Sequence, residues 1–192
     1  MHIFSADSIR GDFVSNALAV QQQRHEAAGP NNESESASDI IELLFFAYRD
    51  FVSDPDRLLT HYGFGRAHHR VLHFVERSPG MTIAEVLDIL GITKQSLNPI
   101  LKDLVGQGYI MQKTGTVDRR QRLLFPTDKG IALSLALTAP QTARIARALA
   151  GCDPETRETV TTFLFSMIDP DDRDHVARLV WTKGEPEPDD RH

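Results

Sequence analysis

A chain of 192 residues with 41% hydrophobic composition can bury the core of one ordinary domain with helical additions, which excludes wholesale disorder. A formal net charge of −6 excludes a generally cationic surface, and the single cysteine, Cys152, excludes an internal disulfide framework. No apolar run approaches the ~18–20 residues of a membrane span, and the N-terminus lacks a basic start followed by an apolar stretch, so the expectation is a soluble, cytoplasmic protein without a secretory signal.

Residues 1–37 read as an N-terminal extension, with a short helix over "FVSNALAVQQQRHEAA" and a flexible polar linker in "AAGPNNESESAS". Ser38 is the expected N-cap of the first clear helix, "DIIELLFFAYRDFV", in which apolar residues recur at Ile40, Leu43, Leu44, Ala47 and Phe51. "RAHHRVLHFVERSPG" places Val71, Leu72 and Val75 on one stripe and stops at Pro79-Gly80. "TIAEVLDILG" opens on Thr82 with Glu85 three residues on, a capping-box pattern, and closes at Gly91. Only Gly91 and Ile92 separate it from the Thr93 cap of the next helix, "TKQSLNPILKDLVGQG". Two strands, "YIMQKT" and "QRLLFP", then flank a hairpin tip, "GTVDRR". Thr127 caps a long helix that Pro140 should kink, and two further helices each open on Asp-Pro. A frayed acidic tail, 183–192, closes the chain.

The net charge hides an asymmetry: residues 66–130 hold ten Lys/Arg against six Asp/Glu, while the remainder holds eleven against twenty-one. A basic segment inside an acidic chain points to a localised polyanion site, although chance clustering on a solvated face gives the same count. Helix, tight turn, helix and hairpin together make a winged helix-turn-helix. The second helix packs through Leu97, Ile100, Leu101 and Leu104, which leaves Lys94, Gln95, Asn98 and Lys102 on its other face. Gln and Asn match adenine's major-groove edge, and Lys reaches guanine or phosphate. Arg119, Arg120 and Arg122 crowd a narrow hairpin suited to the electronegative minor groove.

"TIAEVLDILGITKQSLNPILKDLVGQGYI" followed by "DRRQRLLFPTDKG" resembles the MarR family of bacterial transcription regulators. The family's wing runs Asp-x-Arg and then Leu-x-Leu-Thr-x-x-Gly; here Asp118-Arg119-Arg120 precede Leu124-Phe125-Pro126-Thr127-Asp128-Lys129-Gly130, with Pro126 in place of a leucine. The resemblance implies a mainly α fold with a two-stranded β-wing flanked by N- and C-terminal dimerisation helices. The corresponding division is 1–37 extension and linker, 38–62 dimerisation helix, 63–130 DNA-binding domain, 131–182 dimerisation helices and 183–192 tail. It further implies a homodimer on a pseudo-palindrome of duplex DNA, expected to be a repressor responsive to a small-molecule effector, with no cofactor. Carried over, Arg120 enters the minor groove, Asp118 orients it or a neighbouring arginine, and Arg119 and Arg122 touch phosphate. The candidate DNA-binding residues are therefore Thr93, Lys94, Gln95, Ser96, Asn98, Lys102, Asp118, Arg119, Arg120 and Arg122.

Pro99 departs from the family pattern. It lies either inside the recognition helix or at the first position of a helix capped by Asn98. His69, His73 and Glu76 share a helix face and are candidate metal ligands, or else ordinary helix residues; His61 and His68 complete the histidine cluster, for which a pH- or ligand-sensing role is a further reading. Cys152 is an incidental thiol or an oxidation sensor beside a helix N-terminus. Phe45, Phe46, Tyr48, Phe51, Tyr62 and Phe64 line a ligand pocket or belong to core and dimer interface. No nucleophile elbow, phosphate-cradling loop or firm metal triad speaks for an enzyme. The remaining alternatives are a metal- or redox-responsive regulator of the same fold, or a winged-helix interaction module without DNA binding.

Overall fold

The computed structural model describes residues 33–115 and 118–181. The expected helix over 13–28 and the acidic tail lie outside the described residues. Backbone proximity divides the chain into two units, 1–49 and 50–192.

Helix α1 spans Glu33–Thr60, five residues earlier than the expected Ser38 cap. No Gly or Pro follows Pro30 in that polar stretch, so nothing in it stops a helix from extending backwards. Within the first unit, α1 leaves Ile40, Ile41, Leu43, Phe45, Phe46 and Tyr48 exposed. Arg49 lies over the Phe46 ring at 5.0 Å.

The second unit carries the remaining elements: α2 (Arg66–Arg77), β1 (Met81–Thr82), α3 (Ile83–Leu90), α4 (Lys94–Gly106), β2 (Ile110–Thr114), β3 (Arg122–Pro126), α5 (Asp128–Leu149), α6 (Thr156–Ser166), a 3-10 turn (Pro170–Asp172) and α7 (Arg173–Trp181). The expected stripe on α2 is fully buried at Val71, Leu72 and Val75. It meets Val86 and Leu90 of α3, Leu97, Leu101 and Leu104 of α4, Ile110 and Leu124 of the sheet, and Leu133 and Leu137 of α5 in one core. Each fully buried Leu or Val contributes ~1.5–3 kcal/mol relative to its exposed state, so this shared core fixes how the four helices sit on the sheet.

The wing is part of a three-stranded sheet in the order β1-β3-β2, rather than the expected two strands. Met81 pairs with Leu124 and Thr82 with Leu123, both antiparallel. Gly80, at φ 95°, turns the chain so that its N–H donates to the Leu124 carbonyl at 2.7 Å. A two-residue strand shows no alternation, so the sequence pattern could not announce it.

The openings of the last helices also differ from expectation. Helix α6 begins at Thr156, two residues after Pro154, and Pro170 starts a 3-10 turn that leads into α7. Helix α5 continues past Pro140 to Leu149. Among the described residues no helix is long and apolar enough to cross a membrane.

Candidate nucleic-acid interface

Two capped helices set the geometry. In α3 the Thr82 hydroxyl accepts the Glu85 N–H at 3.2 Å, and the Glu85 carboxylate accepts the Thr82 N–H at 2.6 Å. Gly91, left-handed at φ 61°, ends α3, and the chain reaches the next cap within two residues. There the Thr93 hydroxyl accepts the Ser96 N–H at 3.3 Å and lies 3.1 Å from the Ser96 hydroxyl. Thr93 and Ser96 thus engage each other at the start of α4, while both remain exposed.

Helix α4 is continuous from Lys94 to Gly106 with Pro99 inside it, so Asn98 is not a cap. Its Leu97, Leu101 and Leu104 point into the core, and Ile100 packs against it half-buried. Lys94, Gln95, Asn98 and Lys102 are all exposed. Histidine 68 helps hold this helix in place. Its Nδ1 accepts the Gly65 N–H at 3.1 Å, which leaves the proton on Nε2, 3.4 Å from the Asp103 carboxylate of α4. The imidazole also stacks on Phe64 at 4.7 Å, and Phe64 meets Tyr109 edge-on at 5.2 Å. Arg70 of α2 donates to the Leu90 carbonyl at the end of α3, at 3.3 Å.

The hairpin is ordered by its backbone. β2 and β3 pair from Ile110↔Pro126 to Thr114↔Arg122. Beyond that rung the Gly115 N–H donates to Gln121 O at 3.1 Å, and the Gln121 N–H to Asp118 O at 3.0 Å. The Asp118 carboxylate accepts the backbone N–H of Arg120 at 2.9 Å. Asp118 thus shapes the tip through the main chain of Arg120. Arg119 and Arg120 are exposed, and Arg122 donates across the stem to the Thr114 hydroxyl at 2.6 Å. The cross-strand tie from Thr114 is a feature that strand pairing alone exposes. Lys113 adds a further cation to the same hairpin, 4.7 Å above the Phe125 ring.

The remaining candidates fall elsewhere. His69 and His73 meet edge-on at 6.4 Å on α2, both half-buried. Burial, and next the neighbouring His73, push the His69 pKa down, while burial and then Arg77 do the same for His73. Among the described residues no three His, Cys, Asp or Glu converge as metal ligands, so His69, His73 and Glu76 do not form the metal site considered above. Cys152 is exposed, and its thiol donates to the Ala148 carbonyl at 3.5 Å. It faces the carbonyl end of α5 rather than a helix N-terminus, since α6 starts only at Thr156. Of the six aromatics, Phe64 is buried in the core, whereas Phe45, Phe46, Tyr48 and Tyr62 are exposed. Arg144 of α5 binds the Asp54 carboxylate at 2.8 Å, and this hydrogen bond holds the Asp54 carboxyl below its usual range. His175 of α7 lies 3.8 Å from Asp88 of α3.

A family model described as the MarR family matches residues 62–121, spanning α2 through the hairpin tip. Over 139 residues, 72% of this chain and 84% of the relative, the sequence is 41% identical to the HTH-type transcriptional regulator PetP of Rhodobacter capsulatus. The chain belongs to the MarR family. As a MarR-family protein it is a helix-turn-helix transcriptional regulator and not an enzyme. The fold is shared with Streptococcus pneumoniae FabT, solved in complex with DNA, at TM-score 0.61 and 19% identity over 68% of this chain and 94% of that one. It is likewise shared with a putative MarR family regulator from Listeria monocytogenes complexed with 26mer DNA, at TM-score 0.59 and 20% identity over 72% and 92% of the two chains.

Proposed function

We propose that this MarR-family protein is a cytoplasmic, sequence-specific repressor that binds duplex DNA as a homodimer and is released by a small-molecule effector. The observation that carries the reading is the pairing, in one unit, of an exposed polar face on α4 with an arginine hairpin, in a chain that is otherwise acidic. With α4 in the major groove, Gln95 and Asn98 read base edges while Lys94 and Lys102 reach guanine or phosphate. Thr93 and Ser96 approach the backbone at the start of the helix. Arg120 enters the minor groove from a tip braced by Asp118, and Arg119 and Arg122 contact phosphate. Two MarR-type neighbours of the same fold were solved with DNA, which supports this placement.

The homodimer is supported by apolar side chains that a single chain leaves wet: Ile40, Leu43, Phe45 and Phe46 on α1, Phe163 and Leu164 on α6, and Met167 at its C-cap. A two-fold pair would present two α4 helices to a pseudo-palindrome, its half-sites one helical turn (about 34–36 Å) apart. The Arg144–Asp54 pair links α5 to α1, and His175 of α7 lies beside Asp88 of α3, a route by which an effector would respace the winged domains. Selection of tight binders from random duplexes tests the reading. We expect a pseudo-palindrome to be enriched, on which Gln95→Ala or Asn98→Ala costs ~1–3 kcal/mol and far less on random DNA. Equal losses on both would reduce these residues to backbone positioning, and no enriched sequence would remove the reading.

A further inference from the structure

Pro99 is an anomaly that the core does not explain. Proline costs more helix stability than any other residue, and it leaves the Gln95 carbonyl without the N–H four residues on. Yet α4 runs unbroken through it, and its ring is exposed, outside the buried core. At about 100° per residue, Pro99 stands about 40° from Gln95 and about 160° from Leu101, close to the centre of the outward face. Lys102 lies three residues further along the same face. Whatever α4 docks into, the proline ring meets it near the middle.

In a major groove, the base feature that a rigid, apolar, donor-free ring can recognise is the C5-methyl group of thymine. We propose that Pro99 is a specificity-determining residue that reads one thymine methyl in each half-site, beside the base contacts of Gln95. This rests on the proposed DNA-binding function and goes beyond it, since no polar residue of α4 supplies such a contact. The ring gives apolar surface at fixed shape, with no side-chain rotamer freedom to lose on docking. A helix-compatible polar residue at the same position would be more stable and would not distinguish thymine from its demethylated form.

The test uses the full-length protein and the operator selected from random duplexes. Each thymidine is replaced in turn by deoxyuridine, which removes only the methyl group. For the wild type, one symmetric pair of thymidines should respond, each by about fourfold in affinity, the value of burying one methyl. Pro99→Ser should lose that response at those positions, and Pro99→Val, which keeps apolar volume and restores the N–H, should retain it. Both variants should unfold at a higher temperature than the wild type. A wild type indifferent to every deoxyuridine, or a Pro99→Ser variant as sensitive as the wild type, would overturn the inference while leaving DNA binding intact. A loss of stability in Pro99→Ser would give the proline a structural purpose and overturn it as well. Failure to bind any duplex would remove the underlying function, a result that the selection itself reports.

Discussion

Gly130 is where α5 closely approaches the backbone that leads into β2, and replacing it with alanine tests that joint. Gly130 is buried at the third residue of α5, where its N–H donates to the Thr127 hydroxyl at 3.0 Å. An added Cβ would lie 2.1 Å from the Tyr109 carbonyl oxygen, 3.1 Å from its carbon and 3.4 Å from Leu72 Cδ1. The first distance is far inside van der Waals contact, and the obstacle is backbone. That carbonyl cannot swing aside cheaply, because it accepts the Thr127 N–H at 3.0 Å and also the Thr127 hydroxyl at 3.2 Å. Alanine's helix propensity returns about 1 kcal/mol, but overpacking costs ~1–3 kcal/mol or more, and a tethered backbone belongs at the upper end. The expected net loss for Gly130→Ala is therefore about 2 kcal/mol or more, read from urea unfolding followed by far-UV circular dichroism. Gly106→Ala is the control. Gly106 ends α4 at negative φ, a Cβ there meets nothing within 4 Å, and the change should stabilise by ~0.4–1 kcal/mol. If Gly130→Ala unfolds at the same urea concentration as the wild type, the close approach of Tyr109 to α5 is wrong.

Acid should weaken the fold through His69 and His73, whose folded pKa values lie below the ordinary histidine value. The unfolded chain takes up protons first as pH falls below about 6.5, so stability is full above that pH and declines toward the folded values. The slope is at most ~1.4 kcal/mol per pH unit per histidine, and urea midpoints between pH 7 and 5.5 should flatten in a His69→Gln, His73→Gln variant. The groups facing them are Asp56 at His69, and Glu76 and Arg77 at His73, so an unchanged profile in that variant would assign the acid sensitivity to carboxylates instead. On assembly, Phe163→Asp with Leu164→Asp alters side chains that are 41% and 51% exposed in the single chain. Sedimentation should shift from dimer to monomer and operator affinity should fall; a dimer that persists would place the interface elsewhere.

The elements that declare themselves locally were legible from the sequence. Thr82 with Glu85, Thr93 and Thr127 each announced a helix start, and each caps one. The 3.6-residue spacing of Leu97, Leu101 and Leu104 gave the buried face of α4, and with it the outward face that carries the candidate site. Features that depend on long separations were not legible. The His68–Asp103 tie spans 35 residues and Arg144–Asp54 spans 90, and no local periodicity encodes either. β1 is too short to alternate, and the Thr114–Arg122 rung depends on strand register. The start of α1 was missed because serine and glutamate permit both linker and helix. Pro99 was visible as a departure, but only the unbroken helix around it turned an ambiguity of capping into a position on the outward face.

The central claim, that α4 and the arginine hairpin grip duplex DNA, is tested most directly by the salt dependence of binding. The wild type and a variant with Arg119, Arg120 and Arg122 all changed to alanine are titrated onto the selected operator and onto random duplex, across a range of salt concentrations. Each phosphate contact contributes ~0.9 to the slope of log K against log salt, so the four phosphate contacts of Arg119 and Arg122 in the proposed dimer should flatten it by about 3.6. The three side chains are exposed, and the fold should survive their loss. The account predicts weaker binding and a shallower slope on both duplexes. An unchanged slope on both, with the variant folded, would contradict it.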